Sequence, residues 1–284
     1  MSKTAFIFPG QGSQSPGMGK DLYDNNTDAK AVFQAADKVL GFNLTELIFT
    51  GTAEDLQQTA NAQPAILTVS IAMLKAKNIL PDVVAGHSLG EYSALVCAGV
   101  LDFAEAVSLV RFRGECMSRA PDGSMLAVIG LADTEIEQCL AKYSGKVEIA
   151  NYNCPEQIVI SGERTALGQA GEALTALGAK RVVPLAVKGP FHSSLMKPAA
   201  EEYKQRLDKI KINEPKIPII ANVTADYVLS AAFIKDLLYR QVFSSVRWTQ
   251  SIVKMLAEGV NIIEEIGPGQ VLTGLIKKIT PLSR

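Results

Sequence analysis

The chain is 284 residues long, 48% hydrophobic and 20% charged, with a formal net charge of −1. Those proportions belong to an ordinary globular protein and exclude a disordered chain or a coiled coil. They offer none of the clustered basic excess that marks nucleic-acid binding, and no apolar run reaches the roughly 18 to 20 residues that cross a bilayer.

In chain order, "TAFIFPG" predicts a first strand, not a secretion signal, because it reaches a Pro-Gly turn without a long apolar run. Helices are expected from Thr27 to Leu40 and from Pro64 to Lys77, followed by the strand "DVVAGHS". This alternation points to an α/β fold with a largely parallel sheet. The pattern changes at residue 123. "MLAVIGL" reads as strand, "TEIEQCLAKY" as helix, "VEIANYN" and "QIVISG" as strands, "TALGQAGEALTALG" as helix and "AKRVVPLAV" as strand. That β-α-β-β-α-β order is the ferredoxin-like split βαβ unit, so an inserted subdomain is expected over 123–190 within a core made of 1–122 and 191–284. "IPIIANV" and "NIIEEIGPG" then resume the core as strands, and the cleft between core and insert is the expected ligand site.

Cysteine usage sets further limits. Cys97, Cys116, Cys139 and Cys154 form no C-x-x-C pair, and with only His87 and His192 in the chain a His-rich metal site is not supported. Free buried thiols in a reducing cytoplasm are expected.

The chemistry gathers around "VVAGHSLGEYSAL", residues 83–95. An apolar run that breaks at Gly86 and resumes as a helix after Gly90 puts Ser88 at the apex of a G-x-S-x-G turn, either as an exposed nucleophile or as a helix cap. A serine nucleophile needs a base. His87 adjoins Ser88 in the same turn and should point elsewhere, which leaves His192, in "KGPFHSSLM" where the insert ends. No carboxylate between Ser88 and His192 stands out as a third member, and a backbone or amide carbonyl could hold the Nδ1 proton instead. On the helix of "DFAEAVSLVRFRGECMSRA", Asp102 and Glu105 have capping-box spacing. Helical stepping puts Arg113 on the apolar stripe with Val110, Gly114 and Met117, and Arg111 on the polar face. A guanidinium on that stripe needs an anion, which is either an internal salt-bridge partner or a substrate carboxylate held by a bidentate fork. The glycine-rich "FPGQGSQSPGMG" lacks the G-K-S/T of a phosphate loop. A backbone N–H from this turn, paired with that of Leu89, would make an oxyanion hole for acyl transfer.

Taken together, "FPGQGSQ", "QPA", "GHSLGEYSAL", "RG" at Arg113, "ANYNCPEQIVISG", "GPFHSSLMKPA", "RQVFSSVRW" and "IGPGQVLTGL" run in order through nearly the whole chain. The chain thereby resembles the malonyl-CoA:acyl carrier protein transacylases of bacterial fatty-acid synthesis. The resemblance implies an α/β-hydrolase-like core with a ferredoxin-like insert. It also implies that Ser88 takes the malonyl group, that His192 acts as base and then acid, and that the amides of Gln11 and Leu89 form the oxyanion hole. Arg113 would hold the malonyl carboxylate with Gln63 beside it, and Gln241 would supply the carbonyl partner of His192. An aromatic residue at the place of Phe191 goes with malonyl selectivity in related acyltransferases. The partners implied are malonyl-CoA and an acidic acyl carrier protein, for which Lys180, Arg181 and Lys188 form a candidate basic patch. Coenzyme A and the phosphopantetheine arm would be parts of substrates, with no resident cofactor, nucleic acid or membrane partner.

Two departures from that pattern bear on partner contacts: Lys188 stands where the family usually has a small residue, and the loop "RAPDGSML" looks short. Three other readings remain open at this point. One is a stand-alone acyltransferase of a polyketide synthase. Another is a thioesterase or esterase, which the apolar-face Arg113 disfavours unless its substrate is anionic. The third is a carrier-protein binding module with an inactive site.

Overall fold

The computed structural model describes residues 2–228 and 230–280. Their strands are β1 (Lys3–Phe8), β2 (Val83–Gly86), β3 (Ser124–Ile129), β4 (Val147–Cys154), β5 (Gln157–Gly162), β6 (Arg181–Pro184), β7 (Ile219–Ile220), β8 (Tyr227–Val228) and β9 (Val260–Glu265). They form two sheets, ordered β8-β7-β2-β1-β9 and β4-β5-β3-β6.

The first sheet is parallel except for β8, which pairs antiparallel with β7. An interior strand, β1, between β2 and β9, carries the unbroken apolar run "AFIF" because both of its faces are covered. Phe6 and Phe8 face a cluster that includes Phe33, Ile66 and Val110. Ala5 and Ile7 face a second cluster built around Trp248, Ile252 and Leu275. Helices therefore flank this sheet on both sides, the α/β architecture that the alternation predicts.

The second sheet is antiparallel throughout, and its order is that of the split βαβ fold. Helices Asp133–Leu140 and Arg164–Ala176 cover one face, where Ile136, Leu167 and Leu174 pack on Val128, Ile158 and Ile160. On the other face Met125, Ala150 and Val159 join the large core cluster. The sheet is further tied to the core through β4: Tyr152 N donates to Val246 O at 2.9 Å, and Val246 N donates to Ala150 O at 2.8 Å.

Some local expectations are corrected. The second long helix runs Thr59–Lys77 and includes Pro64 instead of starting there. A proline at 64 removes the bond to the carbonyl of Ala60, and that carbonyl accepts instead from Arg111 Nη1 at 3.1 Å. A side chain from the neighbouring helix thus repairs the break that the sequence rule anticipates. Asp102 caps Phe103–Ser118 through Ala104 N at 2.9 Å, so its bond runs to the second residue of the helix and no exchange with Glu105 is formed. The strand in "IPIIANV" shrinks to Ile219–Ile220. Cys97, Cys116, Cys139 and Cys154 are free and buried. No helix among the described residues is long and apolar enough to cross a membrane.

Between β2 and the helix Gly90–Cys97 the chain turns through Ser88, whose φ is 50°. The turn closes so tightly on β1 that a Cβ at Gly90 would lie 1.9 Å from Phe8 O. Since that oxygen is backbone in β1, a strand paired on both sides, it cannot move aside. Gly90→Ala is expected to destabilise the fold by about 3 kcal/mol or more, the upper range for overpacking. Gly274→Ala, in the helix Val271–Ile279 where an added Cβ meets nothing within 4 Å, is expected to stabilise by about 0.5–1 kcal/mol. Urea unfolding of both variants checks the pair; a neutral Gly90→Ala would contradict the packing of the turn.

Candidate active site

The turn presents Ser88 through its backbone. A non-glycine residue at positive φ is costly unless its surroundings hold it, and here Asn222 does so from just past the end of β7, the strand paired with β2. Asn222 Oδ1 accepts from Ser88 N at 2.7 Å, while its Nδ2 donates to Gly86 O at 2.6 Å. The helix Gly90–Cys97 has no side-chain cap, so the Ser88 hydroxyl is not spent on capping. It lies 2.8 Å from His192 Nε2.

His192 enters from the segment after β6 and is itself at φ 59°. Its Nδ1 is 2.8 Å from the backbone carbonyl of Gln241, at the end of the helix Ile234–Gln241. A carbonyl only accepts, so Nδ1 carries the proton and the Nε2 lone pair faces the serine hydroxyl. Burial, followed by the positive charge of Arg113, depresses the imidazole to about 3, against the raising effect of the Gln241 carbonyl. The ring is therefore neutral near pH 7 and can accept a proton. His87 is engaged elsewhere: its Nε2 is 2.9 Å from Asn153 Oδ1, and its ring meets Trp248 edge-on at 5.6 Å. Because Asn153 belongs to β4, this contact places the turn at the seam between the two sheets.

Arg113 reaches the same point from the helix Phe103–Ser118. Gly114 lets that helix press on its neighbour, since a Cβ there would lie 2.7 Å from Ala60 Cα. The room it leaves is taken by the backbone of Thr59 and Ala60, and Arg113 is carried inward to 1% exposure. Its Nη1 donates to Gln63 Oε1 at 2.9 Å and its Nη2 to Gln241 Oε1 at 2.9 Å. Nη2 is also 3.5 Å from Ser88 Oγ, and the Tyr92 ring lies under the guanidinium at 5.4 Å. Nε has no partner among the described residues, and no carboxylate among them forms an ion pair with this arginine. The internal salt-bridge reading therefore fails. Arg111, on the other face, bonds Glu115 and Asn61, each at 2.7 Å.

The remaining expected residues sit as follows. Gln63 is buried, with its Nε2 3.4 Å from Met117 Sδ. The turn holding Gln11 is braced by Ser13 Oγ donating to Gly10 O at 2.8 Å, and the Gln11 side chain reaches Thr59 Oγ1 at 3.4 Å. Neither the N–H of Gln11 nor that of Leu89 has a hydrogen-bond acceptor among the described residues. Phe191, buried beside His192, packs in the large core cluster. Arg181 and Lys188 are exposed. Lys180 pairs with Glu156 at 3.2 Å, which trims the expected basic patch to two uncompensated cations. The short loop is tied down by Arg164, whose Nη2 lies 2.7 Å from Asp122 Oδ1.

Sequence reasoning missed Asn222, the side chain of Gln241 and Glu91. The available signal was an acid in the otherwise apolar stretch "LGEYSALVC". Glu91 is 3% exposed, and its Oε2 accepts from Gln241 Nε2 at 2.7 Å and from Asn222 N at 3.2 Å.

Burial lifts the Glu91 carboxyl from 4.5 to about 7, against the pull of Gln241, Asn222 and Arg113. Between those values the folded protein holds a proton that the unfolded chain has released. The contribution of Glu91 to stability is thus complete below pH 4.5 and is lost as the pH rises through 7. His192 runs the other way, its contribution fading as the pH falls from 6.5 toward 3. The difference in unfolding free energy between wild type and Glu91→Gln cancels the His192 part. That difference is expected to fall by on the order of 3 kcal/mol between about pH 4 and pH 8, measured by urea titration. A pH-independent difference would mean that Glu91 ionises in the fold as it does in water.

Known proteins are similar to this chain over nearly its full length. Residues 5–280 match the family model described as "Acyl transferase domain". A malonyl CoA-acyl carrier protein transacylase of Bacillus subtilis is 51% identical over 288 residues, covering 98% of this chain and 91% of that protein. The crystal structure of an acyl carrier protein S-malonyltransferase from Vibrio cholerae superposes with a TM-score of 0.95 at 46% identity, covering 99% of this chain and 94% of that one. A malonyl-transacylase in complex with its type II PKS acyl-carrier protein superposes with a TM-score of 0.95 at 42% identity, with the same coverage. With a matching model over nearly all its length and relatives at this identity, the chain belongs to the acyl transferase domain family.

Proposed function

We propose that this protein transfers the malonyl group of malonyl-CoA to the phosphopantetheine thiol of an acyl carrier protein, in fatty-acid synthesis and in the cytoplasm. The observation that carries the reading is Arg113: a buried guanidinium without a carboxylate partner, held by two neutral amides, 3.5 Å from Ser88 Oγ. Such a fork is completed by an anionic acyl group, and the malonyl carboxylate is one.

In the first half-reaction the Ser88 hydroxyl gives its proton to His192 Nε2 as Oγ attacks the thioester carbonyl. The amides of Gln11 and Leu89 take the oxyanion. Collapse breaks the carbon–sulfur bond, and the coenzyme A sulfur leaves with the proton from His192. In the second half the pantetheine thiol gives its proton to the same nitrogen and attacks the malonyl-serine ester. The Ser88 oxygen then departs and recovers its proton. Coenzyme A and pantetheine act as arms of the substrates. Phe191, next to His192, would wall the space around the malonyl α-carbon. Arg181 and Lys188 are the cations offered to an acidic carrier. A polyketide carrier is the second reading, favoured by the likeness to the transacylase solved with a type II PKS carrier.

Intact-mass analysis after mixing with malonyl-CoA tests the chemistry. Wild type is expected to carry one malonyl adduct and Ser88→Ala none, and His192→Ala should acylate roughly 10² to 10⁴ times more slowly, the range for a positioned acid–base group. An adduct on Ser88→Ala, or free malonate released in place of transfer, would defeat the proposal.

Selectivity tests the arginine. Arg113→Ala removes a charge-assisted pair from malonyl but nothing from acetyl, so the preference for malonyl-CoA over acetyl-CoA should shrink roughly ten- to hundredfold. Equal losses for the two thioesters in competition would make Arg113 a packing residue only.

A further inference from the structure

Beneath the serine turn lies a polar knot that the steps above do not use. Its centre is Glu91, on the first turn of the helix Gly90–Cys97, three residues after Ser88. One carboxylate oxygen, Oε2, receives the side-chain N–H of Gln241 at 2.7 Å and the backbone N–H of Asn222 at 3.2 Å. Those two residues hold everything else. Gln241 Nε2 also donates to Ser88 O at 3.0 Å, its Oε1 accepts from Arg113 and its main-chain carbonyl accepts from His192. Asn222 grips the backbone on both sides of the turn, at Gly86 O and Ser88 N. All three are almost fully buried, so water cannot substitute for a lost partner.

We infer that Glu91 is a positioning residue for acyl transfer, whose Oε2 fixes the Gln241 amide with its oxygen toward Arg113 and fixes Asn222 against the Ser88 turn, so that the carboxylate fork, the base and the nucleophile share one anchor. The inference rests on the malonyl-transfer reading above. The orientation of the amide is the key step. Turned over, Gln241 would aim N–H at the guanidinium and oxygen at both Glu91 and Ser88 O, placing donor on donor and acceptor on acceptor. Glu91 and Arg113 therefore grip the two ends of one amide with opposite demands. A buried acid is otherwise a liability here, since burial raises its pKa to about 7, and a side chain needed only to fill space could be apolar.

The test uses full-length Glu91→Met, Glu91→Gln and Glu91→Asp, each competing malonyl-CoA against acetyl-CoA, scored by mass of the acyl-enzyme. Glu91→Met keeps the length and removes the acceptor. Its malonyl preference is expected to fall about tenfold or more, because the Arg113 fork loses its brace. Glu91→Gln can offer an amide oxygen to the same two N–H groups and is expected to keep the wild-type preference within about threefold. Glu91→Asp withdraws the oxygen while keeping the charge, and should narrow the preference by at least about threefold. A helix-packing role would slow malonyl and acetyl acylation together and leave their ratio alone. An unchanged ratio in folded Glu91→Met overturns the inference, as does a Glu91→Gln ratio as low as that of Glu91→Met. If Glu91→Met does not fold, Glu91→Asp decides: a narrowed ratio supports the anchor and an unchanged one overturns it. Wild type that forms no malonyl adduct would sink the transferase reading itself, which separates the two failures.

Discussion

A buried guanidinium that meets no carboxylate governs the layout of this protein. Taking such a charge out of water costs several kcal/mol even after the surroundings relax, so each contact of Arg113 must recover part of that cost. Two amide oxygens, an aromatic face and the serine hydroxyl do so. None of them carries a formal negative charge, so the site retains its appetite for an anion. The same charge helps to keep His192 unprotonated, and a neutral imidazole is what a base for Ser88 requires. Recognition of the acyl carboxylate and readiness of the base thus share one physical source.

Placing that charge depends on two close backbone approaches. Gly114 lets one helix press on another, and this brings Arg113 inward. Gly90 lets the serine turn fold down on Phe8. Ser88 and His192 both sit at positive φ, and Asn222 and Gln241 are the hydrogen-bonding restraints that hold them there. The strain is therefore carried by side chains from the C-terminal part of the core, after the second sheet. Assembly of the site therefore brings together residues from Gln63 to Gln241, on both sides of the second sheet.

Much of this was legible in the sequence, for identifiable reasons. Element order follows hydrophobic period, and both sheets obey it. Ser88 is marked by its flanking glycines, His192 by the scarcity of histidines, and Arg113 by a charge on an apolar stripe. Gln63 and Gln241 were not legible from pattern, because an amide looks alike on a surface and in a buried network; only the family resemblance pointed to them. Glu91 was hidden by a different ambiguity. Acids are common in the first turn of a helix, where the dipole favours them, so the one signal, an acid among apolar neighbours, had an ordinary alternative reading. Pro64 misled in the opposite direction, since the rule that a proline marks a helix boundary does not foresee Arg111 arriving to satisfy the carbonyl of Ala60.

The absence of an acid behind His192 follows from the same constraint. A carboxylate in place of the Gln241 carbonyl would stabilise imidazolium better, yet it would also stand within reach of Arg113. An ion pair there would satisfy the guanidinium and remove the incentive to bind a substrate carboxylate, and it would draw the base toward its protonated form. Gln241 avoids both consequences by dividing its labour: the main-chain carbonyl orients the histidine, and the side-chain oxygen steadies the arginine without neutralising it. The acidic group is kept one amide further away, at Glu91, which is hydrogen-bonded to Gln241 and forms no ion pair with Arg113. A serine–histidine pair oriented by a carbonyl is in this setting the arrangement that leaves the guanidinium free for substrate.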